Sequence, residues 1–587
     1  MQPRLATFVP ASILLLCGAI VACAPPAPQS GGTNEPPASA IPTSSARTAA
    51  ERAAGVPPVR SLPMPARPVA PALYLASAET PLPPLCQGTS TSGILYANAE
   101  VEPFLAVNPL DSRILVGTWQ QDRYSNGSAR ALLAATSFDG GRSWTRQPLP
   151  FSRCGGGSVL NGGDYERASD PWVSYSPNGV VHAMSLSTNG SSFQGGSANA
   201  MLASRSFDHG RTWSNPIALI RDGTGAFNDK NALTADPNDA NFVYAVWDRL
   251  IDANDSGPAY FARSIDGGAS WEPARPIHDP GSRNQTIGNQ IVVLPNGVLI
   301  DVFNQIDRPT LGPQRSRVGI VRSFDRGATW SAPIYVADLL AVGTTDPRTG
   351  ANVREGSIIP SIAVSPLGEV YAVWQDARFG SGAFDAIALS RSIDSGATWS
   401  APIRVNAVVG AAAFTPSVSV GRDGVIAVSY YDLRNDTASA PLTTDVWLAR
   451  SGDGGATWTE QRIGASFDML SAPNANGFFV GDYQALIDAD GMFVAFYGKA
   501  NDGDTDNRTD IVSAPMPNLP SIAVTTASAA TKQAALRTRG APLGFKPGPR
   551  LRQRIDANLR RRLREPSAIG AKSRALPHDY VTVIPKM

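Results

Sequence analysis

The sequence predicts an all-β protein built from a repeated four-strand unit closed into a ring. Three observations predict it. Gly and Pro number 54 and 49 of 587 residues, a turn-rich composition that suits many short strands and works against long helices. One octapeptide recurs six times, and short apolar segments with strand character recur between its copies.

The N-terminus comes first. Arg4 precedes an apolar stretch over residues 8–22 and then Cys23, which predicts a secretory signal over residues 1–22. Ile20-Val21-Ala22-Cys23 resembles the bacterial lipobox. That resemblance implies lipidation of Cys23, and Ala24 after it resembles the outer-membrane sorting pattern; an ordinary signal cleaved near Ala24 is the other reading. Residues 23–80 are rich in Pro, Ala, Ser and Thr, too poor in large apolar groups to form a core, and predict a semi-stiff tether. The expectation is therefore an exported bacterial lipoprotein at the outer membrane or cell surface. Cys86 and Cys154 remain after Cys17 leaves with the signal and Cys23 takes lipid. An exported pair is a disulfide candidate, with two buried thiols as the other reading.

The repeat decides the fold. Ser137-Phe138-Asp139-Gly140-Gly141-Arg142-Ser143-Trp144 returns as Ser206 to Trp213, Ser264 to Trp271, Ser323 to Trp330, Ser392 to Trp399 and Ser451 to Trp458. Its aspartates are Asp139, Asp208, Asp266, Asp325, Asp394 and Asp453, at intervals of 69, 58, 59, 69 and 59 residues. Asp in a tight turn accepts hydrogen bonds from the amides that follow it, Gly supplies the unhindered backbone, and Trp packs beneath. The motif resembles the Asp-box, or BNR repeat, of the sialidase (neuraminidase) superfamily, which implies a β-propeller over residues 81–518. Seven inner-strand segments can be read, at 103–107, 171–173, 232–234, 290–294, 360–364, 416–420 and 483–486. This predicts seven blades, with six, the sialidase number, as the alternative. The seventh unit lacks an outer strand, and the N-terminal segment Gly93-Ile94-Leu95-Tyr96 is expected to supply it and close the ring.

Beyond the propeller, residues 519–587 form a basic extension. From residue 530 onward there are 14 Lys and Arg against 3 Asp and Glu, so a chain of net charge +1 has an acidic body. Leu551, Ile555, Leu559 and Leu563 recur every four residues among arginines, predicting an amphipathic helix over 551–564. It could lie on an anionic surface or dock on the body; nucleic acid is not an expected partner.

Function in a propeller is expected where the inner strands start and the inter-unit loops converge. Polar residues at those starts include Glu100, Glu102, Glu166, Asp170, Asp229, Lys230, Arg354, Glu355, Asp482 and Tyr483. Asp/Arg pairs follow the second strands at Asp122-Arg123, Asp248-Arg249, Asp307-Arg308, Asp376 with Arg378, and Asp432 with Arg434; recurrence across units reads mainly as scaffold. The sialidase resemblance implies three arginines on a substrate carboxylate, a Tyr nucleophile helped by Glu, and an Asp acid/base. Arg249, Arg354 and Arg378, Tyr483 with Glu355, and Asp170 or Asp229 are the corresponding candidates. The Arg-Ile-Pro signature of that family is absent from the first unit, which reads Glu102-Pro103-Phe104. Lys230 and Asp482 are further substrate-binding candidates; a Lys230 or Tyr483 base with a neighbouring acid would equally suit a polysaccharide lyase, and the same groups would suit glycan binding without turnover. No cofactor is required, although Asp502, Asp504, Asp506 and Asp510 resemble alternating oxygen ligands for a structural Ca²⁺, with a polar hairpin turn as the other reading. The leading expectation is a sialidase-like glycoside hydrolase acting on an external glycan. A lyase, or a surface lipoprotein that binds a glycan or protein partner without catalysis, is the alternative.

Overall fold

Strands and turns account for nearly all of the computed structural model, which describes residues 71–88, 92–190, 198–223 and 225–518. The signal segment, Cys23, most of the tether and the basic extension with segment 551–564 lie outside the described residues. Short 3-10 turns are the helical elements among the described residues.

The strands form successive antiparallel four-strand meanders. The first runs Val101–Val107, Leu115–Tyr124, Ala129–Ser137, Thr145–Pro148. Its third strand also touches the second meander through one pair, Ala129 and Ala168. The first strands of the meanders are Val101–Val107, Arg167–Tyr175, Ala226–Ala235, Gln285–Val293, Ser361–Val364, Ala413–Val420 and Ala485–Asp488. Each packs against the next in that order, and the last returns to Val101–Val107. Such a ring of radially repeated sheets is a β-propeller. The core lies between sheets, where Trp119, Trp247 and Trp374 of the second strands are fully buried. Each indole removes roughly 150–250 Å² from water, worth several kcal/mol at about 25 cal/mol per Å².

The repeat turn joins third and fourth strands. In all six copies the Ser hydroxyl donates to the Asp carboxylate at 2.8 Å. The second carboxylate oxygen accepts from the Ser or Thr hydroxyl four residues on. In four copies the Trp indole N–H donates to the Gly carbonyl three residues earlier. The turn therefore satisfies the Asp carboxylate and the Ser hydroxyl locally in every copy, which explains how it can be repeated around the ring.

Closure differs from the sequence expectation. Thr509–Pro517, the third strand of the last meander, pairs with Tyr74–Leu75, through Tyr74 to Ser513 and Leu75 to Val512. Leu95–Tyr96, expected in that place, pairs instead with Tyr124 and Arg123 of the first meander. Residues 74–77 fall within the segment whose composition predicts tether. What seats them is backbone pairing: Ala76 N–H donates to the Ile511 carbonyl at 2.9 Å, and Ile511 N–H donates to the Ser77 hydroxyl at 2.9 Å. A Pro-rich composition hides such an edge strand, because edge positions tolerate Pro. A disulfide joins Cys86 to Cys154, fastening this strap to the first meander.

Candidate functional site

The site begins with a backbone irregularity. Five first strands slip register near their start, between Val101 and Phe104, Ser169 and Trp172, Asp229 and Ala232, Ile287 and Gln290, and Phe414 and Ser417. At each slip one residue takes a left-handed backbone: Glu102, Asp170, Lys230, Gly288 and Thr415, with φ of 55°, 51°, 46°, 72° and 50°. Bulges of this kind re-aim a side chain out of the sheet pattern. Here they bring three charged groups, Glu102, Asp170 and Lys230, into contact with one another.

Lys230 Nζ is the hub. It lies 3.0 Å from Glu102, 3.2 Å from Asp170 and 2.7 Å from Asp482. The three acids are 1%, 2% and 7% exposed, so their charges are worth far more to one another than in water. Arg354 adds a fork on Asp482, at 3.2 Å from Nε and 2.7 Å from the terminal nitrogen. Gln120 donates to Glu102 and, at 3.1 Å, to Ser169, while Arg123 donates to Gln120 at 2.6 Å. Asp229 also acts on Lys230 and Tyr483 through its charge.

Two loops make this possible. Val353–Arg354 and Phe478–Phe479 form a short parallel pair, bringing the loop before the fifth meander against the loop before the last. Arg354 stacks on Phe479 at 4.2 Å, and Arg123 lies 5.0 Å from the same ring. Gly356 is required by the approach: a Cβ there would sit 1.8 Å from the Asp482 carbonyl oxygen. Alongside, Phe104 stacks on Trp172 at 3.6 Å and Trp172 lies 5.5 Å from Tyr483. A cavity of about 150 Å³ is lined by Phe104, Trp172, Thr415, Asp482, Tyr483 and Leu486 among others.

The protonation pattern is uneven. Burial raises the Glu102 carboxyl; Lys230 opposes this and Asp170 and Asp482 reinforce it, leaving Glu102 at about 7. Burial also penalises the Asp482 carboxylate, but Arg354 and Lys230 overcome that and hold it well below the usual range. Lys230 is held firmly protonated: its three carboxylates outweigh its burial. Two carboxyls on one ammonium thus have their pKa values pushed apart.

The predicted residues divide. Asp170, Lys230, Arg354, Asp482 and Tyr483 come together, with Asp229 adjacent. Glu102, which sequence reasoning names only as a strand start, belongs with them; the signal was the shared acid–Pro step of Glu102-Pro103 and Asp170-Pro171. The arginine clasp does not form. Arg249 is taken by Asp222 at 2.7 and 2.8 Å, with Tyr260 beside it, and Arg378 by Asp376 at 2.8 Å. Nor is Tyr483 an activated nucleophile. Its hydroxyl donates to the Pro171 carbonyl at 3.4 Å, and burial, followed by Glu102, Asp170 and Asp482, raises it well above an ordinary phenol. Glu355 acts instead on Asp385, a buried carboxyl raised to about 7 by burial and by Glu355, against bonds from the Val342 and Gly343 amides. A lyase base is equally unsupported, since Lys230 and Tyr483 both keep their protons.

The second-strand arginines are mostly loop pins. Arg308 bonds Asp255 and Arg434 bonds Glu460, at 2.7 and 2.8 Å, and Asp122 pairs with Arg130 at 2.9 Å. The four-aspartate segment folds as a hairpin turn that does not fit a Ca²⁺. Asp502 accepts from the Asp468 amide, Asp504 from the Asp506 and Asn507 amides, and Asp510 from Ser77 and Asn501. Among the described residues no group of three or more His, Cys, Asp or Glu side chains is arranged to hold a metal.

No protein-family profile matches the chain. A xyloglucanase from Paenibacillus is 30% identical over 185 residues, a match covering 30% of this chain and 16% of that enzyme. Solved structures with a similar trace include a protein of unknown function from Dyadobacter fermentans, at 17% identity and a TM-score of 0.41, over 72% of this chain and 96% of that one. An α-L-arabinanase of Penicillium chrysogenum complexed with arabinobiose gives 12% and 0.41 over 76% and 99%. The intramolecular trans-sialidase from Ruminococcus gnavus gives 14% and 0.35 over 71% and 95%.

Proposed function

We propose that the chain is a seven-bladed Asp-box propeller that hydrolyses glycosidic bonds of an external glycan at the channel mouth, with Glu102 as proton donor and Asp482 as its ionised partner. One observation carries this reading: Glu102 and Asp482 share Lys230, yet one is tuned to hold a proton near neutrality and the other to stay charged. Such a divided pair is what acid-assisted glycoside cleavage needs. Glu102 gives its proton to the glycosidic oxygen as the bond to the leaving sugar breaks, Asp482 stabilises the positive charge developing on the ring, and water then bonds to the anomeric carbon and returns a proton to the Glu102 carboxylate. The half-buried ring of Phe104, on the cavity wall beside Trp172 and Tyr483, suits a sugar face. The local likeness to a xyloglucanase points the same way. A sialidase mechanism is the less favoured form, because Arg249, Arg354 and Arg378 are engaged apart from one another. The Cys86–Cys154 disulfide supports an oxidising compartment and hence export, with Cys23 as the lipid anchor.

A binding module without turnover is the second reading, favoured by Lys230 already neutralising the acids around it. The test is incubation of the full chain with a glycan panel and mass spectrometry of the products. Hydrolysis appears as added water; the hydrolase reading expects it and expects Glu102→Gln to lose it by about 10²–10⁴-fold. Binding without product selects the module, and products that persist undiminished in Glu102→Gln remove Glu102 from its role.

A further inference from the structure

We infer that the mouth accepts the uncharged sugars of a neutral glycan and discriminates against sialylated or uronate-bearing ones. This rests on the glycan reading above and narrows it. A sugar carboxylate is held by a guanidinium or ammonium with donors to spare, most strongly by a bidentate Arg fork. Around these acids Lys230 and Arg354 spend their donors on the protein's own carboxylates, and Arg123, which donates to Gln120, is only 1% exposed. Arg354 directs its fork at Asp482, and Lys230 contacts three carboxylates within 3.2 Å. Away from this cluster, the Arg249 fork faces Asp222, the Arg378 fork faces Asp376, and Arg434 spans Asp432 and Glu460, so these loop arginines are engaged as well. A carboxylate ligand in the cavity would have to displace one of these internal bonds and would meet the ionised Asp482 on the cavity wall, with Asp170 and Asp229 behind it. A neutral sugar meets no such penalty: its hydroxyls can bond to carboxylate oxygens, and its apolar face can lie on an aromatic ring.

The experiment is a glycan array probed with the full chain and with Glu102→Gln, which retains bound ligand if turnover is slowed. The array carries neutral pentosans and hexosans, sialylated oligosaccharides and polyuronates. Neutral glycans bound at least about tenfold more tightly than acidic ones, which is about 1.4 kcal/mol, is the expected result. Acidic glycans bound as well or better would overturn the inference while leaving a glycan site in place. No binding to any class would remove the glycan reading itself. Asp482→Asn supplies an internal control, since it frees the Arg354 fork and relieves Lys230. It is expected to raise affinity for sialylated or uronate ligands, and an unchanged preference in a folded Asp482→Asn variant would contradict the role given to spent donors.

Discussion

Glu102 combines two costs that a purely structural residue would avoid. Its backbone is left-handed at φ 55°, a conformation that costs a non-Gly residue on the order of 1–3 kcal/mol, and its carboxyl is buried. Because its folded pKa is raised above the ordinary 4.5 to about 7, the folded chain holds a proton that the unfolded chain releases. The stabilisation linked to that proton is complete below pH 4.5 and is lost as pH rises through about 7. Thermal unfolding followed from pH 4 to 8 should therefore show a fall in Tm over this window that is smaller in Glu102→Gln; an identical fall in both would place the titration elsewhere. This carboxyl was only half legible in the sequence. Its position at a strand start could be read, but its role depends on a bulge that turns it toward Lys230, 128 residues away. The Arg249 assignment failed for the converse reason: its partner Asp222 lies in the preceding outer strand, and no sequence pattern links the two.

The repeat turn and the paired loops behave differently as elements. The turn is largely local, with the Ser, Asp and Ser or Thr bonds that define it made within eight residues, which is why its sequence announces it. Its aspartates sit at about 2 in most copies, held there by the Ser or Thr hydroxyl four residues on and by turn amides. The sign is that of depressed carboxyls: the linked stability is present above pH 3.8 and lost as pH falls toward 2. Replacing one of them, as in Asp394→Ala, should cost about 1–2 kcal/mol in denaturant unfolding without altering glycan specificity. A specificity change from that variant would contradict a scaffold role. The loop pair is non-local, joining Val353–Arg354 to Phe478–Phe479, and nothing in the sequence shows that the two meet. Gly356→Ala tests it. The added methyl must push against the Asp482 backbone, so a loss of about 1–3 kcal/mol in stability should accompany loss of site function, whereas full activity would show that Arg354 and Asp482 need not meet.

At the scale of the molecule, the ring is held by its two ends and a strap. The repeat spacing made the architecture legible, but the closing strand was misplaced because residues 74–77 look like linker and Gly93-Ile94-Leu95-Tyr96 looks like strand. Burial corrects the comparison: Ala76 is fully buried, while Ile94 is 62% exposed. The Cys86–Cys154 bond spans 68 residues, so its loss should destabilise the fold by about 2–4 kcal/mol. Unfolding of the full chain with and without reductant measures this, and equal stability would mean that the strap stays seated unaided. The strap, the bulges and the paired loops meet in one consequence, a mouth where residues distant in sequence share one lysine. The pH–rate profile of glycan hydrolysis, measured on the native chain and on Glu102→Gln, tests that consequence most directly. The account predicts activity that falls as pH rises through about 7, and a variant slowed by about 10²–10⁴-fold that has lost this limb. A native profile flat across neutrality, or a variant that keeps both its rate and the limb, would contradict it.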